Sequence, residues 1–483
     1  MERILKNYIG GEWVESAASD TIAVTNPATC EVLAHSPDSS AEDVNSAVLA
    51  AQEGFEEWRS TPVMSRAQYM HHFKVLLEDR FEDLAKIIVE ENGKAIDEAR
   101  GEVRRGIESV DFAIGVPFMM RSDGLEDVSS GIDETTLRQP AGVFAAITPF
   151  NFPMMVPLWF LPTAIVCGNT FILKPSPQTP ISSELIFELL EELDLPPGVV
   201  NLIQGGIPSS QAVMEHPGVT GVSFVGSSPV ARIVYETCTR HGKRVQAQGG
   251  AKNYIAVMPD ADMNASVKNI MGAAFGCAGQ RCLAAAVAVG VGDAYDMMKD
   301  ELVKYAQNVQ VGYGLDEKTQ MGTVISDSAK ERIESMIQQG EAQGAKVLLD
   351  GRNLTVEGYE NGAFVGPTIL GDVEAEMVVA TDEIFGPVLS LMKADTFEEA
   401  VELINKSKYG NAASIFTSNG KQAREFKYKV KAGNIGVNIG VAAPSASFPF
   451  GGQKESFYGD LHGQGSDSIE FYTERKIVIE RWT

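Results

Sequence analysis

From Gly142 to Gly250 the chain alternates short β-rich runs with segments of helical period, and few folds accept that rhythm. The runs are GVFAAITPF, NTFILKP, GVVNLIQG, GVSFVGS and KRVQAQGG; between them stand PISSELIFELLEELDL and SPVARIVYETCTRHG, which open on Pro or Ser. Strands separated by helices pair in parallel, because the helix carries the chain back across the sheet. The expected product is an α/β doubly wound sheet whose ligand lies beyond the C-terminal ends of its strands. A second α/β series starts near residue 252 with NYIAVMPDAD, AYDMMKDELVKYAQNV and SAKERIESMIQQGEAQGAKVLLDG. Residues 41–100 have the period of long surface helices. The tail SIEFYTERKIVIERW alternates as an edge strand that pairs with another subunit would.

At 483 residues the chain exceeds one hydrophobic core, so two or three domains are expected. Its 65 acidic and 40 basic residues give a net charge of -25, which repels a polyphosphate backbone and argues against a nucleic-acid partner. The first residues, MERILKNYIGGEW, lack the apolar core of a signal peptide, and the apolar stretch Met154 to Val166 is short and interrupted by Pro157 and Pro162. A cytoplasmic protein without a membrane partner is expected. The five cysteines (30, 167, 238, 277 and 282) lack C-x2-C spacing and read as reduced thiols; with the six histidines scattered, no metal site is expected.

Four short stretches bear chemistry. In FVGSSPVA, a strand ends at a glycine turn, and Ser227 or Ser228 can cap a helix whose free N–H groups would hold a pyrophosphate; taken alone, without the G-x-G-x-x-G fingerprint, a capped turn without ligand fits better. In ITPFNFP, Asn151 stands between aromatics and ahead of a proline, where its amide either stabilises an oxyanion or caps local backbone. Lys174 ends an apolar strand in ILKPSPQTP, placed for a ribose or phosphate contact or as a solvated rim charge. FGCAGQRCLA holds two thiols five residues apart. Cys277 has no charged neighbour in sequence, whereas Cys282 follows Arg281, whose guanidinium would favour the thiolate.

Together YIGGEWVES, NPATCEVL, PFNFP, ILKPS, FVGSS, GQRCLA and EIFGPV resemble the NAD(P)-dependent aldehyde dehydrogenase superfamily over nearly the whole chain. The resemblance implies a Rossmann-type dinucleotide-binding domain from residues 1–120 and 142–250, and an α/β catalytic domain from 251–440. It also implies a small β oligomerisation element from 121–141 and 462–483, in a homodimer or homotetramer. By the same resemblance Cys282 is the nucleophile and Asn151 the oxyanion-hole amide, partnered by the N–H of Cys282. Thr148 and Phe150 line the nicotinamide end, Lys174 meets the adenine ribose, Ser227 the pyrophosphate, and Glu383 the nicotinamide ribose with Phe385 nearby.

Two positions depart from the superfamily pattern. Where most members carry a glutamate that activates water, this chain has Gln248, followed by Gly249 among the cofactor-facing positions, and an amide is no general base. Pro177 and Gln178 stand where an acidic group often selects NAD, which leaves NADP open. The missing base, with QGGAKN, FGCAGQRC and GGQKESFYGD, makes the chain most similar to the coenzyme A-acylating methylmalonate-semialdehyde dehydrogenase branch. There Arg281 and Arg105 would bind the substrate carboxylate or coenzyme A. Oxidation of malonate or methylmalonate semialdehyde, acyl transfer to coenzyme A and release of CO2 or bicarbonate would follow. Two alternatives remain at this point: a non-acylating aldehyde dehydrogenase acting on another aldehyde, and a binding protein on the same scaffold.

Overall fold

A computed structural model describes residues 3–482. The five β-rich runs become five parallel strands in the spatial order Val200–Leu202, Thr170–Lys174, Val143–Ile147, Gly221–Val225, Arg244–Gln248. The chain therefore builds outward from Val143–Ile147 on one side, then crosses back to build on the other. The switch point lies between Val143–Ile147 and Gly221–Val225, where adjacent loops diverge and leave a crevice. Antiparallel strands finish both edges: Asn7–Ile9 and Glu12–Val14 at one end, Phe457–Gly459 at the other.

The central strands are buried on both faces, which is why they read as unbroken apolar runs. The helices Ala41–Ser60, Val63–Asp79, Phe81–Asn92 and Ile96–Ile114 cover this sheet with their apolar stripes. Ser40 and Asp43 form a reciprocal capping box that starts the first of them. Met155–Val166 is apolar all round because it is enclosed, packed between Ile96–Ile114, the strand Thr170–Lys174 and the helix Gly465–Tyr472. Among the described residues, no helix is long and apolar enough to cross a membrane.

The second series forms a seven-stranded sheet in the order Lys346–Leu349, Thr368–Gly371, Val388–Ala394, Ala285–Val291, Asn253–Val257, Ala412–Phe416, Asn434–Val437. Only the edge strand Lys346–Leu349 runs antiparallel. The turn carrying Cys282 enters this sheet at the start of Ala285–Val291 and so faces the C-terminal ends of the first sheet.

The tail strand Thr473–Arg481 pairs inside its own chain, antiparallel to Ile132–Pro140, from Thr473 opposite Pro140 to Arg481 opposite Ile132. In the order Thr473–Arg481, Ile132–Pro140, Gly124–Ser129 the tail is an edge strand, as its alternation led one to expect, with no further strand on its outer side among the described residues. The long strand Ile132–Pro140, hydrogen-bonded also to Gly124–Ser129, supplies the local partner that the tail needs.

Candidate active site

The loops beyond the first sheet enclose a cavity of about 670 Å³ at the switch point. Thr148, Phe150 and Asn151 reach it from the end of Val143–Ile147, Lys174 and Pro177 from Thr170–Lys174, Ser227 from Gly221–Val225, and Gly249 from Arg244–Gln248. The second sheet contributes Cys282, Glu383 and Phe385. Gln178, in contrast, is exposed and lies outside the cavity wall, its N–H turned back onto the Ser176 hydroxyl at 3.3 Å.

These residues fit a dinucleotide. The helix Ser228–Arg240 begins at the cavity, and neither serine caps it: Ser227 makes no cap bond, while Ser228 Oγ donates to the Glu455 carbonyl and accepts from Gly250 N–H at 2.9 Å. Its N-terminal amides therefore stay available to an anion. Thr148 Oγ1 is buried without a partner. Lys174 is buried with its ammonium on the Gly205 carbonyl at 2.7 Å, and burial pulls it down to about 8. A Cβ on Gly250 would stand 2.3 Å from Glu383 Oε2, so any larger residue there would displace the Glu383 carboxyl.

Glu383 receives the Ala251 N–H at 2.9 Å. Burial pushes its carboxyl up to about 7, against the opposing pull of Lys252 and Arg332. Phe385, held at a left-handed φ of 52°, stands edge-on to Phe150 with ring centres 5.8 Å apart. That pair closes the cavity between the two sheets.

Cys282 is half-buried, and its carbonyl is clamped by two side-chain amides, Asn253 Nδ2 at 3.0 Å and Asn411 Nδ2 at 2.8 Å. Burial, and then the charge of Glu383, push its thiol up to about 12. Asn151 is buried, and its Nδ2 donates to the Gln280 carbonyl at 2.9 Å, two residues before the thiol. One Nδ2 hydrogen remains for a ligand.

A second cavity, of about 420 Å³, opens on the other side of Cys282. Arg105 and Arg281 reach its wall, with Trp159, Phe450 and Phe152 supplying apolar surface. Cys282 is the only residue the two walls share. A thiol at this junction can react with a carbonyl group on one side while a redox partner waits on the other.

A model of the aldehyde dehydrogenase family matches residues 13–478. The chain belongs to the aldehyde dehydrogenase family. It is 50% identical over 478 residues to malonate-semialdehyde dehydrogenase 2 of Geobacillus kaustophilus (strain HTA426), covering 99% of each chain. It is 48% identical over 480 residues to a malonate-semialdehyde dehydrogenase of Halalkalibacterium halodurans, covering 99% of this chain and 98% of the relative. Two crystal structures superpose over 100% of this chain and 99% of theirs. One, from Oceanimonas doudoroffii, is a methylmalonate-semialdehyde dehydrogenase at 43% identity and TM-score 0.98. The other, from Sinorhizobium meliloti 1021, is a complex with NAD of a protein provisionally assigned the same activity, at 42% identity and TM-score 0.99.

Within this aldehyde dehydrogenase fold, the structure revises the reading of the two thiols. The Arg281 guanidinium turns away from Cys282: Nε meets Cys277 Sγ at 3.2 Å and Nη2 meets Glu98 Oε1 at 2.9 Å. Cys277 thus has two charged neighbours, contrary to its sequence surroundings, yet burial still pushes its thiol up. Its charge still favours the Cys282 thiolate, as expected, but burial and Glu383 outweigh it. A turn in which Cys277 and Ala278 both adopt φ near 50° rotates the guanidinium toward the Ile96–Ile114 helix. All five cysteines are free thiols.

Gln248 is buried at its strand end, outside both cavity walls, with neither amide atom paired; a Cβ on Gly463 would stand 2.6 Å from its Nε2. Several site residues had no sequence signal. Lys94 and Glu102 form a fully buried ion pair at 2.6 Å; Lys94 also donates to the Asn151 carbonyl at 2.7 Å, and Glu102 accepts from the N–H groups of Met154 and Met155. Arg332 lines the first cavity and donates to the Ile384 carbonyl at 2.7 Å. Gln464, at a left-handed φ of 64°, lines the second with its Oε1 unpaired.

Proposed function

We propose that the protein oxidises malonate or methylmalonate semialdehyde with NAD and passes the acyl group to coenzyme A, giving acetyl-CoA or propionyl-CoA with loss of CO2 or bicarbonate. The observation that carries this is the position of Cys282 as the sole residue common to the cofactor and substrate cavities. The names of the relatives point to the same substrates.

The Cys282 thiolate attacks the aldehyde carbon, and the second Asn151 Nδ2 hydrogen and the Cys282 N–H hold the oxyanion that forms. When bound in the first cavity, NAD supplies the hydride acceptor that converts this adduct to a thioester. Thr148, Lys174, Ser227, Arg332 and Glu383 would hold it there. Phe150 and Phe385 exclude water from its nicotinamide end. Gln248 has no basic atom with which to activate water, so the thioester persists: its carboxylate leaves as CO2 by cleavage of the bond to the adjacent carbon, the thioester enolate left behind takes up a proton from water, and the coenzyme A thiol then attacks the acyl carbon with Cys282 leaving as thiolate. Arg105 and Arg281 give the substrate cavity the positive charge that a carboxylate-bearing aldehyde requires.

Glu383 favours a second reading. It is the only carboxylate on the cofactor cavity wall, and with a carboxyl near 7 it is suited to act as a base, which would make water the acyl acceptor. Rate measurements with malonate semialdehyde, methylmalonate semialdehyde and other aldehydes, with and without coenzyme A and with each nicotinamide cofactor, decide between the two. Acyl-CoA formed in step with NADH supports transfer; sustained NADH formation without coenzyme A supports hydrolysis. The exposed Ile477 and Ile479 on the tail strand support a homodimer or homotetramer, which light scattering tests.

A further inference from the structure

The helix Ile96–Ile114 brings Glu98, Glu102 and Arg105 to the wall of the second cavity at i, i+4 and i+7. Two of these are already matched: Glu102 by Lys94, and Arg105 by Glu108 at 2.8 Å and the Pro444 carbonyl. Glu98 differs. Its Oε1 accepts from both Arg281 Nη2 at 2.9 Å and the Cys277 N–H at 2.6 Å, while its Oε2 is buried with no partner. One carboxylate oxygen therefore holds the left-handed turn at Cys277 and the guanidinium that the turn presents.

The guanidinium is fixed on all three nitrogens: Nε on Cys277 Sγ, Nη1 on the Gly272 carbonyl at 3.3 Å, and Nη2 on Glu98. It lies directly on the backbone of Gly276, where a Cβ would come within 2.3 Å of Nη1. Three of its five N–H groups are thereby used, leaving two for a ligand in one fixed orientation. A guanidinium locked in this way recognises a carboxylate by geometry as well as charge, and gains nothing on an uncharged aldehyde.

We infer that Glu98 is a positioning residue that aims Arg281 and thereby sets the preference for an aldehyde bearing a carboxylate over one without it. This rests on the proposed reaction with a semialdehyde acid. The quantity to measure is the ratio of kcat/KM for malonate semialdehyde to that for propanal, which lacks the carboxylate. Glu98→Ala lowers the ratio by about tenfold or more, mainly through KM for the acid, as expected for loss of a charge-assisted contact. Glu98→Gln keeps an acceptor oxygen and restores most of the ratio. Gly276→Ala leaves Glu98 intact but displaces the guanidinium, so it lowers the same ratio and stands as the independent test should Glu98→Ala not fold. A wild-type enzyme with no preference for the acid overturns the substrate reading itself. A wild-type preference that survives in folded Glu98→Ala, or is raised by it, overturns the role of Glu98; should that variant not fold, a preference that survives Gly276→Ala does so.

Discussion

The Asn151 side-chain amide donates to the Gln280 carbonyl at 2.9 Å, joining the loop at the end of the first sheet to the turn that carries the Cys282 thiol. The proposed oxyanion donor and the proposed nucleophile are thus registered by a direct bond between loops of the two sheets. Asn151→Ala is expected to fold and to lose roughly 2.7 to 4 kcal/mol of transition-state stabilisation, a drop of about 10² to 10³ in kcat. Steady-state kinetics check this, with circular dichroism to confirm the fold. A kcat close to wild type removes Asn151 from the oxyanion hole.

The two thiols of FGCAGQRCLA separate cleanly by variant. Cys282→Ala abolishes turnover and acyl-enzyme formation, read by mass spectrometry after a single turnover. Cys277→Ala retains turnover within about tenfold and raises KM for a carboxylate-bearing aldehyde, because it removes only the sulfur on which Arg281 Nε rests. The reverse pattern would assign the chemistry to the wrong thiol.

Glu383 repels the thiolate it faces. Its carboxyl sits near 7, so it is largely neutral below that pH and charged above it, while the Cys282 thiol is held up near 12. In Glu383→Gln the repulsion is gone. Iodoacetamide alkylation of Cys282 should match wild type at pH 6 and exceed it several-fold, roughly, at pH 8 to 9, since each unit of lowered thiol pKa gives about tenfold more thiolate. A wild-type to variant ratio that does not change with pH refutes the coupling.

Lys94 and Glu102 form an ion pair without solvent contact, and both hold the Asn151–Met155 loop. Lys94→Met leaves a buried carboxylate uncompensated, which typically costs about 3 to 5 kcal/mol. Equilibrium urea unfolding should show that loss. Replacement of both partners, Lys94→Met with Glu102→Leu, should recover much of the stability while kcat stays low, because the Asn151 carbonyl still lacks its ammonium donor. Full recovery of kcat in the double variant would show that the pair contributes nothing to the site.

The alternation of apolar runs with helical segments was enough to assign a parallel α/β sheet, because pairing direction follows from connection length and burial from composition. Motifs local in sequence were equally legible: PFNFP, ILKPS and FVGSS each end a strand, and parallel strands bring such ends to one rim. Contacts between distant segments were not. Glu98 meets Arg281 across 183 positions, and Asn411 meets the Cys282 carbonyl across 129. Arg281, the sequence neighbour of Cys282, makes its direct contact with Cys277, because side-chain direction in a left-handed turn depends on what packs against it. The tail that alternates as a strand found its partner in residues 132–140 of its own chain. Periodicity is a property of the local backbone and can be read along the chain; the direction in which a charge points is settled only by its neighbours in space.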